Sequence, residues 1–119
     1  MKCAAIDIGT NTILLLIVDA GEALREIDDI STTVRLGEGM KETGRISRGA
    51  MDRGLKVLRK YADIMAAHRA ELVSCVGTSA LREAKNSRKF LDLVEDCCGI
   101  PVRVISGRDE ARYTYLSVK

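Results

Sequence analysis

The sequence predicts an α/β domain built on a mixed five-stranded sheet, with three antiparallel strands, then two parallel crossovers, and helices on both faces. Two observations predict it. The first third of the chain holds apolar runs joined by short polar turns, the pattern of an antiparallel meander. The remainder alternates helix-periodic and strand-like segments, and helical crossovers between strands imply parallel neighbours.

The elements follow in order. Cys3–Ile6 and Ile13–Val18 are short apolar runs that read as buried strands, with Asp7-Ile8-Gly9-Thr10-Asn11-Thr12 between them. Asp19-Ala20-Gly21-Glu22 is a turn, and Leu24, Ile27, Ile30, Thr32, Val34 and Leu36 suggest a long, half-exposed third strand ended by Gly37-Glu38-Gly39. Ser47 is placed to cap a helix whose buried stripe is Met51, Leu55, Leu58, Ala62 and Met65. Gly54 within that helix implies a close contact with the sheet, since glycine there costs about 1 kcal/mol against alanine. His68 near the helix end reads as a solvated last-turn histidine. Leu72–Val76 is the fourth strand and feeds Gly77-Thr78-Ser79. Asn86 is placed to cap the next helix, with Phe90, Leu91, Val94 and Cys98 facing inward, Gly99 stopping it and Pro101 preventing its return. Val102, Val104 and Ile105 form the fifth strand, and Ser106-Gly107 opens a last helix with Ala111, Tyr115 and Val118 on one side. That helix has no stop signal, which suggests the first domain of a longer protein.

Composition narrows the function classes. A chain of 119 residues is one domain. Its aromatics are few, Tyr61, Phe90, Tyr113 and Tyr115, too few for stacking platforms along single-stranded nucleic acid. A net charge of +2 points to neither nucleic acid nor a membrane surface. Cys3, Cys75, Cys97 and Cys98 lack zinc-site spacing and read as reduced core residues of a cytosolic protein. Met1-Lys2-Cys3 does not start a signal peptide, and Ile13–Val18 is too short to span a bilayer.

The hairpin tip is the stretch that carries chemistry. It offers backbone N–H groups, two hydroxyls and an amide, a set that suits a phosphate. Asp7 at the end of the first strand would repel that polyanion unless a divalent cation, typically magnesium, lies between them. The alternative is a hairpin whose polar residues serve only the turn. Ligands of open α/β sheets bind at the carboxyl ends of parallel strands. If the first, fourth and fifth strands are parallel neighbours, Asp7, Gly77-Thr78 and Ser106-Gly107 converge on one edge.

Four segments resemble the exopolyphosphatase and guanosine pentaphosphate phosphohydrolase (Ppx/GppA) family: Asp7-Ile8-Gly9-Thr10-Asn11-Thr12, Val34-Arg35-Leu36-Gly37-Glu38-Gly39, Gly77-Thr78-Ser79-Ala80-Leu81-Arg82-Glu83-Ala84, and Val104-Ile105-Ser106-Gly107-Arg108-Asp109-Glu110-Ala111-Arg112. The resemblance covers essentially the whole chain. It implies a ribonuclease-H-like fold of the actin-like ATPase superfamily, and residues 1–119 as the N-terminal domain of a protein of two or more domains with the site between them. It implies Glu110 as the catalytic carboxylate that activates water. Gly9, Thr10, Asn11 and Thr12 would form a phosphate loop, with Asp7 near a magnesium ion and Arg35 and Arg82 facing the polyanion. Helix-start preference alone would account for Glu110. Arg82 could equally be a solvated arginine or a partner of Glu83 or Glu110, and Arg35 an exposed strand residue. The implied partners are polyphosphate or guanosine pentaphosphate and the missing second domain, with room for a homodimer in the complete protein, in the cytoplasm and linked to the stringent response. The hairpin alone also suits an ATP-dependent kinase of the same superfamily, and the isolated chain a non-catalytic polyphosphate-binding module.

Overall fold

Side chains alternate faces along a strand, and the first strand sorts itself accordingly. In β1 (Lys2–Ile8), Ala4, Ile6 and Ile8 are buried. Their antiparallel partners in β2 (Thr12–Ala20) are Ile17, Leu15 and Ile13, also buried, so one face of the hairpin is continuous core. The structure, a computed structural model, describes residues 1–21 and 23–107. β3 (Leu24–Thr33) pairs antiparallel with β2 and ends three residues earlier than the apolar pattern suggests, because Val34 and Leu36 leave the strand and turn into the core.

The meander is followed by a single helical turn, α1 (Met40–Thr43), and by the long α2 (Arg48–His68). The Ser47 hydroxyl accepts from the Ala50 N–H at 3.1 Å, the expected cap. β4 (Glu71–Gly77) runs parallel to β1, the short α3 (Ser79–Glu83) follows, then α4 (Ser87–Cys98), and β5 (Arg103–Val104) runs parallel to β4. The sheet order is β3-β2-β1-β4-β5, the mixed topology expected from the sequence. The helix expected after Ser106 lies outside the described residues, as do Glu110, Ala111, Tyr115 and Val118.

α2 and α4 close the core over the buried sheet face. Tyr61 is fully buried, donates its hydroxyl to the Ile13 carbonyl at 2.6 Å, and shares a 2.7 Å hydrogen bond with the Thr32 hydroxyl. Gly54 is a close-contact point, but its partner is α4 rather than a strand. A Cβ there would stand 3.0 Å from the Phe90 ring, with Leu36 beyond at 3.5 Å. Asn86 occupies the cap position of α4, yet its amide is used elsewhere. It accepts from the Ile46 N–H at 2.8 Å and donates to the Ile46 carbonyl at 2.9 Å, tying the segment before α2 to the start of α4. Gly99 ends α4 in the left-handed conformation, as expected. His68 ends α2 with its ring 4.0 Å from the Asp28 carboxylate.

The cysteines divide. Cys75 is buried, Cys3 and Cys98 are half-buried, and Cys97 is exposed rather than in the core, because it falls on the outer side of α4. Burial, and secondarily the negative charge of Asp7, push the Cys75 thiol up to about 12. Two results are expected. Iodoacetamide near neutral pH alkylates Cys97 and spares Cys75, as peptide mass spectrometry would show. A folded-state pKa raised above the unfolded value gives stability that is full below the unfolded pKa and lost as pH rises toward the folded one. The Cys75 contribution therefore fades between pH 9 and about 12, and Cys75→Ala should flatten urea-unfolding stability across that window.

Candidate functional site

The parallel strands bring the expected segments to one edge. Ile8 stands opposite Gly77, and Gly77 opposite Val104, so β1, β4 and β5 end in one row. Loops leaving that row are stitched together. The Thr78 N–H and hydroxyl both approach the Ile8 carbonyl, at 3.2 and 3.4 Å, and the Ile105 N–H donates to the Gly77 carbonyl at 3.0 Å. Thr78 is the buried polar side chain of this edge, with its hydroxyl satisfied.

The hairpin tip is fixed from two sides. Within the hairpin, the Gly9 N–H donates to the Thr12 carbonyl at 2.9 Å, and a Cβ on Gly9 would lie 2.9 Å from that same oxygen. Glycine is thus required here by the closure of the turn itself. From outside, the segment 34–37 clasps the tip. The Val34 and Arg35 N–H groups both donate to the Asn11 carbonyl, at 2.7 and 2.9 Å, and the Gly37 N–H donates to the Thr10 carbonyl at 3.0 Å. In a planar trans peptide the N–H points opposite to the C=O. The Asn11 N–H shares its peptide with the Thr10 carbonyl and therefore points away from the Gly37 side of the clasp.

Two of the four sequence motifs thus form one unit. Its tightest point is Gly37, where an added Cβ would lie 2.5 Å from the Thr10 methyl. Thr10 is β-branched and has few rotamers in which to retreat. Gly37→Ala should cost about 1–3 kcal/mol of stability through overpacking, read by denaturant unfolding.

Beside this unit lies an open cleft of about 470 Å³, bordered by Thr10, Gly37, Lys41, Ser79 and Glu83 among others. Lys41, Ser79 and Glu83 were not singled out in the sequence. Ser79 and Glu83 sit inside a motif already noted, but Lys41 rides on one helical turn whose placement depends on the clasp.

The other expected site residues are distributed around this edge. Arg35 belongs to the clasp through its backbone, adopts φ 55°, and has an exposed side chain. Thr12 opens β2 opposite Thr33. Arg82 is half-buried on the β4–β5 side, where one guanidinium nitrogen donates to the Ile105 carbonyl at 2.9 Å and the other faces Gly107. Asp7 is half-buried, paired in the sheet with Leu14 and Val76, and close enough to Cys75 for its charge to act there. Glu110 lies outside the described residues.

Among the described residues no cluster of three or more His, Cys, Asp or Glu side chains could hold a metal alone. A lone carboxylate still fits magnesium, which commonly takes one or two carboxylates and completes its shell with phosphate oxygens and water. Asp7, a hard oxygen donor at the end of a strand that leads into the hairpin tip, suits that role.

The sequence profile of the Ppx/GppA phosphatase family matches residues 16–119. The chain belongs to that family. The match begins within β2, so it is independent of the hairpin motif. Among Ppx/GppA relatives, exopolyphosphatase 2 of Mycobacterium tuberculosis is 38% identical over 96% of this chain and 39% of its own length. The guanosine-5'-triphosphate,3'-diphosphate pyrophosphatase of Aeromonas hydrophila is 36% identical over 97% of this chain and 23% of its own length. The solved structure of the Aquifex aeolicus Ppx/GppA family member superimposes with a TM-score of 0.94 at 35% identity, covering 99% of this chain and 39% of that one. The fold is accordingly the ribonuclease-H-like domain of the actin-like superfamily, and this chain spans well under half the length of the relatives it matches.

Proposed function

We propose that this Ppx/GppA chain is the N-terminal domain of a phosphoanhydride hydrolase that releases terminal orthophosphate from inorganic polyphosphate, guanosine pentaphosphate or both. The observation that carries the reading is the clasped hairpin tip, Gly9-Thr10-Asn11-Thr12, at the carboxyl edge of three parallel strands. Ligands gather at this edge of α/β sheets, and turn N–H groups accept anions. The two relatives named above act on polyphosphate and on a guanosine polyphosphate by their names, which supports the substrate class.

In this reading the tip holds a phosphate near the scissile bond. Arg35 and Arg82 face the polyanion, and Asp7 holds magnesium, which would neutralise phosphate charge when bound. Glu110 takes a proton from water as its oxygen attacks the terminal phosphorus. The bridging P–O bond breaks, the terminal phosphoryl leaves as orthophosphate, and the shortened anion keeps the bridging oxygen. Such transfers rest on positioning and charge neutralisation more than on covalent catalysis. The second domain of the same chain closes the cleft over the tip. No helix among the described residues is long and apolar enough to cross a membrane.

The test uses the complete parent protein. Orthophosphate release is measured from long-chain polyphosphate and from guanosine pentaphosphate, with magnesium and after chelation. Release from at least one substrate, lost on chelation and restored by magnesium, is expected. Absence of release from both overturns the reading.

A further inference from the structure

We infer that Arg53 is a positioning residue that holds the hairpin tip in its phosphate-receiving form. The inference rests on the tip being the phosphate site. Arg53 projects from α2, where helix periodicity alone makes it a solvated side chain. The structure uses it differently. Its Nε donates to the Val34 carbonyl at 2.9 Å, and one terminal nitrogen donates to the Arg35 carbonyl at 3.3 Å. The same nitrogen lies 3.6 Å from a Glu38 carboxylate oxygen, and both charged side chains are partly exposed.

These two carbonyls belong to the segment whose N–H groups grip the tip. The peptide joining Val34 to Arg35 is held at both ends. Its C=O takes the Arg53 Nε–H, and its N–H is given to the Asn11 carbonyl at 2.9 Å. A charged donor on one end of a peptide polarises it and strengthens the hydrogen bond at the other. Arg35 also holds a left-handed conformation that a non-glycine residue adopts only under local constraint. The forked guanidinium supplies that constraint by reaching successive carbonyls together, which a lysine ammonium, a single point charge, does not match. Arg53, the 34–35 peptide and Asn11 thus form a line from helix α2 to the tip, and no partner needs to move for it to act.

The test compares Arg53→Ala and Arg53→Lys in the complete protein, with two readouts. The first is the amide proton shift of Arg35 and Gly37 in the substrate-free, isotope-labelled protein. Both should move upfield in each variant as the clasp loosens. The second is steady-state hydrolysis of polyphosphate. KM should rise about tenfold in Arg53→Ala with a smaller change in kcat, and Arg53→Lys should recover only part of it. A residue that merely stabilises α2 would lower the melting temperature and leave the amide shifts and KM in place, and that result overturns the inference. Full recovery of KM by lysine overturns it as well. If the wild-type protein hydrolyses neither substrate, the functional reading fails on its own, and the amide shifts still decide the role of Arg53.

Discussion

On the proposed reading, Glu110→Gln in the complete protein is expected to lower the rate of orthophosphate release by about 10²–10⁴-fold, the usual contribution of a positioned general base, with the melting temperature unchanged. Glutamine keeps the shape and the hydrogen-bonding oxygen of glutamate and loses only the site for the proton. Gly107 is held at the strand edge, near the Arg82 guanidinium, and Arg82 is itself anchored on the Ile105 carbonyl. Glu110 follows Gly107 by three positions in the sequence. Gly107 itself lies on the side of the sheet edge held by Arg82 and Ile105. Release from Glu110→Gln that stays within a few-fold of wild type would remove Glu110 from the mechanism while leaving the tip as the phosphate site. Circular dichroism and thermal melting of the same sample would separate a chemical defect from misfolding.

Tyr61→Ala is expected to be the most damaging change to the fold, at about 3–5 kcal/mol, the range for removing a large buried ring. Domains of this size have about 5–15 kcal/mol in total, so the variant should sit near its unfolding midpoint under mild denaturant. The reason is position. Tyr61 is fully buried and its hydroxyl reaches the Ile13 carbonyl and the Thr32 hydroxyl, so one side chain joins α2 to β2 and β3. Tyr61→Phe separates the ring from the hydroxyl. It should cost only about 1 kcal/mol, the net worth of an ordinary hydrogen bond. Urea denaturation of both variants checks the pair. A Tyr61→Ala loss no larger than that of Tyr61→Phe would mean that the ring itself contributes little.

Tyr61 also shows how a local pattern is incomplete. Steps of three and four from Met51 lead to Leu55, Leu58, Ala62 and Met65 and pass beside position 61. The buried face of α2 is wider than that stripe, because the helix is packed by the sheet on one side and by α4 on the other. Gly54 has the same lesson. Its presence announced a close neighbour, but nothing near it in sequence said that the neighbour would be Phe90, thirty-six residues away.

Asn86 and Arg53 carry the point into the candidate site. An asparagine before a helix reads as a cap, because capping is the local use of its amide. Here Ile46, forty positions back, offers an N–H and a carbonyl together and takes that amide instead. Arg53 reads as solvated because the helix leaves it outside, and only the arrival of the 34–35 carbonyls gives it work.

By itself the sequence determined what depends on near neighbours. It set the strand and helix order, the Ser47 cap, the Gly99 stop, the polar strand ends and the motifs that mark the family, because period, capping and turn chemistry act over a few residues. Only the tertiary structure decided which of those pieces touch. The clasp of 34–37 on Thr10 and Asn11, the Arg53 fork and the Phe90 contact join residues 18 to 36 positions apart or set one turn upon another. Such contacts form because the core packs at near-crystalline density and buried polar groups must be satisfied, conditions that hold for the whole chain at once and leave no local signature.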